Sequence, residues 1–250
     1  MTYRGLPVAV RIAIALALGG TIGAVIAATL PPAVAGVVGL ALATPEKLPW
    51  VTSRVAAFVA YLAIAGSVVY GLLLSTRVLD AIAHRPVSFA LHRDLAVVGL
   101  GLAGVHGALL ALDRTIHFTL AGLLVPFASP YRPIAVGLGQ VALYVALIVT
   151  LSFYARRRIG SRAWRLLHYV TFVAFAGATA HGILAGTDTP EPWAFAIYTA
   201  STVAVVFLAT YRTVLGVVAS RDRRAARIAA AVGGVVRHAG GDEHLTARPA

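Results

Sequence analysis

Histidine is the residue type in this chain best suited to hold a metal, because there is no cysteine and only one methionine, at position 1. Four of the eight histidines fall in two apolar stretches. LHRDLAVVGLGLAGVHGALLALD carries His92 and His106, fourteen residues apart, and WRLLHYVTFVAFAGATAHGILAGTD carries His168 and His181, thirteen apart. If both stretches are helices, each separates its imidazoles by roughly 20 Å along the axis, about two-thirds of a hydrocarbon core of roughly 30 Å. Two such helices running the same way set His92 level with His168 and His106 level with His181. Zinc needs three or four protein ligands around one point, whereas haem iron needs two axial ligands because the porphyrin supplies the other four. Two imidazoles per level therefore predict two stacked b-type haems, ligated by His92/His168 and His106/His181, and one-electron chemistry between them.

The elements that must position these residues are membrane helices. Hydrophobic residues make up 59% of the 250, charged residues 12%, and the mean hydropathy is +0.85, well beyond an ordinary soluble domain. Six apolar runs are long enough to span, at about Pro7–Leu30, Val51–Leu74, Val87–Leu112, Pro133–Tyr154, Ala163–Ala185 and Trp193–Val218. The expected fold is all-α, a six-helix transmembrane bundle. It divides into residues 1–50 (first helix and outer loop), 51–218 (haem-binding core) and 219–250 (a basic cytoplasmic tail with a disordered end). The first run has the arginines of a signal peptide but is too long and lacks a cleavage site, so it is read as a spanning helix. The short run Val34–Ala43 is given no role, and Asp113–Arg132 is read as an interfacial segment on the outer surface.

A net charge of +12 is a feature of nucleic-acid binders, but its placement argues for topology. Of the 21 lysines and arginines, only Lys47, Arg54, Arg114 and Arg132 fall on the side opposite the N-terminus. The positive-inside rule then puts both termini in the cytoplasm of a multi-pass plasma-membrane protein. The partners expected are the bilayer itself, a separate electron-donor protein or quinol, and a redox acceptor outside the cell, with no nucleic acid. In this topology the stretches carrying His92/His106 and His168/His181 run in the same direction, as the pairing requires.

The remaining features admit two uses each. Gly99, Gly101, Gly104 and Gly107 serve either helix packing or the close approach of a flat macrocycle. Arg93, Arg162 and Arg165 near one level, and Arg114 and Arg132 near the other, are topology charges or partners for haem propionates. The step of thirteen between His168 and His181 misses the same helix face by roughly 140°; either a π-bulge or bend at Gly177 corrects it, or the rings sit off-centre between several helices. His84 and His117 are expected at the surface, and His238 and His244 in the tail have no assigned role.

The residues His92-Arg93 with His106, Trp164-Arg165-Leu166-Leu167-His168, and His181-Gly182 resemble the ferric reductase-like transmembrane domain. That family includes ferric reductases, the haem core of NADPH oxidases and the haem subunit of the periplasmic methionine-sulfoxide reductase system. The likeness runs from about Val51 to Val218. It implies two bis-histidine haems, inner His92/His168 and outer His106/His181, with Arg93 and Arg165 among the cofactor-binding residues. Full-length ferric reductases and NADPH oxidases carry a flavin and nicotinamide domain after the last helix. The stretch after Val218 is too short for a dinucleotide fold and has no glycine-rich phosphate loop. The donor is therefore expected to be a partner protein, a bound flavin or a membrane quinone. The alternatives to an electron conduit are a haem subunit serving a periplasmic reductase, and a non-redox transporter or assembly protein.

Overall fold

The computed structural model describes residue 39 and residues 47–81, 84–113 and 116–243, with side chains described through 227. The expected first helix, the run Val34–Ala43, Arg114 and His244 lie outside the described residues. Every described element is helical: α1 Leu48–Thr76, a 3-10 turn Val78–Ala81, α2 Arg85–Leu110, α3 Leu120–Leu124, α4 Pro133–Ile159, α5 Ser161–Tyr169, α6 Thr171–Ala185 and α7 Pro192–Glu243. Five helical stretches are long and apolar enough to cross a membrane, α5 and α6 counting as one. Large apolar side chains face outward along them, Ile148 and Val173 being more than half exposed. An outward apolar surface of this kind belongs in a bilayer rather than in water, so the protein is a membrane protein.

Two compact units divide at Val206/Phe207, and the first holds His92, His106, His168 and His181. Its frame is two antiparallel helix pairs, α1–α2 and α4 with α5/α6. Within α1 the buried residues Ser53, Ala56, Ala60, Ala63 and Ser67 recur every three or four positions. This small-residue stripe lets α2 approach closely. At Gly99 of α2 an added Cβ would lie 2.7 Å from Ile64 Cγ1 and 3.2 Å from the Ala60 carbonyl. α4 and α6 close up in the same way at Gly177, where a Cβ would sit 3.1 Å from Ala142 Cβ. Contact between the two pairs is sparse by comparison, and Tyr61 provides part of it. Its hydroxyl bonds Thr179 Oγ1 at 3.1 Å and Ser201 Oγ at 2.6 Å, and its ring stacks on Phe175.

Three differences from the sequence reading concern helix ends. α7 does not stop at Val218 but continues as one helix to Glu243, so residues 241–243, expected to be disordered, are helical. The segment SRDRRAARIAAA holds no glycine or proline and is rich in strong helix formers, so nothing local ends the helix. Arg54, counted among the outer-side charges, lies inside α1, where its guanidinium pairs in bidentate fashion with the buried Asp188 carboxylate and sits 4.4 Å over the Trp50 ring. The segment 113–132 is more than a surface piece. Gln140 Nε2 donates to the Gly122 carbonyl at 2.8 Å, Tyr144 donates to the Leu124 carbonyl, and Tyr131 and Arg132 donate to the last carbonyls of α6, Ala185 and Leu184. These bonds strap it across one end of the bundle. His117, Phe127 and Arg132 in this segment have positive φ, a conformation costing roughly 1–2 kcal/mol for each non-glycine residue.

Candidate haem-binding site

The four intramembrane histidines meet in pairs across the gap between the two helix pairs. The ring centroids of His92 and His168 are 6.0 Å apart, and those of His106 and His181 are 6.3 Å apart. An atom bonded to both imidazoles at about 2 Å, the usual metal–imidazole length, would hold the two centroids roughly 6.3 Å apart. Both pairs therefore have the spacing that one shared metal atom requires. Among the described residues no group of three or more His, Asp or Glu converges on a metal position. Each level offers two nitrogen donors, the set that suits a porphyrin iron rather than zinc.

The protonation of the rings follows from their partners. His106 Nδ1 lies 3.0 Å from the Ser53 carbonyl and 2.8 Å from Ser53 Oγ, while that hydroxyl donates to the His106 carbonyl at 3.1 Å. His92 repeats the arrangement with Ser67: 2.8 Å to the carbonyl, 3.1 Å to Oγ, and 2.9 Å from that hydroxyl to the His92 carbonyl. His181 Nδ1 lies 2.9 Å from the Ala135 carbonyl. A carbonyl only accepts, so the proton in all three rings is on Nδ1 and the lone pair is on Nε2. A ligating histidine needs this tautomer, held by a second-shell acceptor. The fourth ring, His168, is stacked by Trp164 one turn earlier, centroid to centroid 5.2 Å at 25°.

Room for the rings is made by glycines of the neighbouring helices. A Cβ at Gly139 would lie 2.6 Å from His181 Cγ and Nδ1, and one at Gly71 would lie 3.0 Å from His92 Cε1. Between the helix pairs at the His106/His181 level is a cavity of about 450 Å³, within the usual size of cofactor sites. Small and apolar side chains line it, among them Ala60, Ala103, Gly107, Ala142 and Ala178, and the 113–132 strap covers it with Phe118 and Tyr131.

The helix break expected at Gly177 is elsewhere. The α5/α6 helix is interrupted at Val170, where i→i+3 bonds run from Val170 N–H to Leu167 O and from Val173 N–H to Val170 O, each 3.0 Å. Thr171 Oγ1 caps the freed His168 carbonyl at 2.8 Å. This break, rather than Gly177, interrupts the regular helix between His168 and His181, and Gly177 serves packing against α4.

Other expectations resolve residue by residue. Gly99 packs on α1, Gly107 lines the cavity, and a Cβ at Gly101 or Gly104 would meet nothing within 4 Å. Arg93 is half exposed and pairs with its neighbour Asp94 at 2.7 Å, Arg162 and Arg165 are exposed, and Arg132 is engaged with the Leu184 carbonyl. Arg132 does not line the cavity at the His106/His181 level, whose described cationic residues are Lys47 and Arg54, while Arg93, Arg162 and Arg165 fall at the other level. His84 and His117 are exposed. Sequence reasoning missed Ser53, Ser67, Gly71, Gly139 and Gln140. One signal was present: the serines on α1 are fourteen residues apart, the spacing of the α2 histidines they face. Comparison with family models, with curated proteins and with solved structures finds no match for this chain, so the site is defined by the geometry of its own residues.

Proposed function

We propose that this protein is a transmembrane electron carrier that binds two b-type haems and passes electrons from a cytoplasmic or quinol donor to an acceptor outside the cell, in the manner of the ferric reductase-like domain. The observation that carries this reading is the pair of facing imidazole couples at matched spacing, with Nε2 left as the free donor by the bonds at Nδ1. His92 and His168 would hold the haem on the cytoplasmic side, and His106 and His181 the one on the outer side, in the orientation the arginine distribution favours. Haem bound in this way supplies reversible one-electron chemistry with no open coordination position.

The chain's own residues supply the rest. The serine and alanine carbonyls fix the tautomer and orientation of each ring. Gly71 and Gly139 give the rings space. The apolar cavity wall and the 113–132 strap exclude water, which keeps the environment of low polarity and helps set the potential. A haem subunit delivering electrons to a periplasmic reductase is the second reading. Co-purification of a soluble redox enzyme would support it.

The test is a reduced-minus-oxidised spectrum of protein purified from haem-replete cells, with a haem-to-protein ratio. The expected result is a split b-type band and two haems per chain, falling to one in His106→Ala and in His92→Ala. A colourless wild-type protein, correctly folded by its melting behaviour, would refute the proposal.

A further inference from the structure

On α1 the stripe facing α2 reads Ser53, Ala56, Ala60, Ala63, Ser67, all buried. Alanine is sufficient for close helix packing, and it fills the middle of the stripe. Hydroxyls stand at the two positions opposite a histidine and not between them. The antiparallel register makes this possible: fourteen residues forward on α1, from Ser53 to Ser67, correspond to fourteen backward on α2, from His106 to His92. Ser53 is fully buried and Ser67 is 5% exposed, so water cannot replace either hydroxyl.

The proton arrangement in each cluster has one solution. The serine carbonyl requires a proton on Nδ1. The serine oxygen beside that N–H can then only accept, so its own proton goes to the histidine carbonyl, which lies at 2.9–3.1 Å. Each α2 imidazole therefore has two acceptors at Nδ1–H, one hydroxyl and one carbonyl of the same serine. His181, on the facing helix, is given a carbonyl alone.

We infer that Ser53 and Ser67 are positioning residues that each set the donor strength of one axial imidazole, and through it the reduction potential of the haem at that level. This rests on the haem reading above. An acceptor at Nδ1–H raises the basicity of Nε2, and a more basic axial ligand favours the ferric over the ferrous state, lowering the potential. Removing the hydroxyl removes one of two acceptors, so the potential of that level rises. The remaining carbonyl keeps the shift below a tenfold change in the ferric-to-ferrous ratio at fixed potential, equivalent to about 59 mV for one electron.

The experiment is a potentiometric titration, followed by absorbance, of the full chain with both haems, in wild type, Ser53→Ala, Ser67→Ala and the control Ala63→Ser, which lies on the same stripe but outside the cavity wall. His106→Ala and His92→Ala assign the two spectral components. Ser53→Ala is expected to raise the component that His106→Ala removes, and Ser67→Ala the one that His92→Ala removes, each leaving the other at its wild-type value. Selective loss of that same component also supports the assignment. The low-spin ferric paramagnetic resonance signal, which reports the relative orientation of the axial rings, should change at the same level only. Unshifted components in the haem-loaded serine variants, equal shifts or losses in both, or an equal shift in Ala63→Ser would overturn the inference while leaving the haem reading intact. A wild-type protein with no haem would overturn the haem reading itself.

Discussion

Gly139→Ala adds one methyl group beside a candidate iron ligand. Its Cβ would lie 2.6 Å from Cγ and Nδ1 of His181, about 0.9–1.4 Å closer than an ordinary carbon contact. The backbone of α4 is held by its own hydrogen bonds, so the ring must yield. Displacement by about 1 Å would stretch the 2.9 Å bond from Nδ1 to the Ala135 carbonyl beyond hydrogen-bonding range. It would also exceed the roughly 0.5 Å within which a ligand must be held. Overpacking costs about 1–3 kcal/mol, and the gain in helix propensity from glycine to alanine returns about 1 kcal/mol. The net loss of stability is therefore about 0–2 kcal/mol, too little to unfold the bundle, while the displacement of the ring is enough to lose one site. The haem-to-protein ratio should fall from two to one, with the His106/His181 component missing. Gly104→Ala is the matched control: its Cβ meets nothing within 4 Å, so it should keep both haems and a melting temperature at or above wild type. Two haems with unchanged spectra in Gly139→Ala would show that the His181 ring does not need its present position, and would refute the ligand assignment there.

Three further outcomes follow from the same geometry. Arg54→Met leaves Asp188 buried without its partner and should cost about 3–5 kcal/mol in detergent unfolding, most of it recovered in Arg54→Met/Asp188→Leu. Gln140→Leu removes the bond to the Gly122 carbonyl that ties down the strap, so limited proteolysis should cut within residues 113–132 several-fold faster than in wild type. The chain has no native cysteine, so single introduced cysteines report topology without background. Thr187→Cys should react with an impermeant thiol reagent added outside intact cells and Arg158→Cys only after lysis, and the reverse would invert the proposed direction of electron flow.

The described spans and the histidine pairing were legible because both depend on one-dimensional spacing: apolar runs long enough to cross, and imidazoles about two heptads apart. What was hidden depends on a second helix. A serine in an apolar helix reads as a packing residue until α1 is laid antiparallel to α2 and its hydroxyl falls against an imidazole. Gly139 looks no different from Gly101 in sequence, yet one faces a ring and the other faces open space. The break at Val170 contains neither glycine nor proline. It coincides with Thr171, whose hydroxyl donates to the His168 carbonyl, a weaker local signal than the glycine at position 177. The strap was hidden for a similar reason: its anchors, Gln140 and Tyr144, lie on a different helix.

The anchors also bear on how the site is assembled. His92 and His106 are fixed to α1, and His181 to α4, so each of these rings is oriented within its own helix pair. The two pairs touch each other sparingly, and the imidazole couples face across that seam. Under the haem proposal, a separation of the two pairs would break none of the Nδ1 bonds, so these three rings would keep their orientation while a cofactor is seated between them.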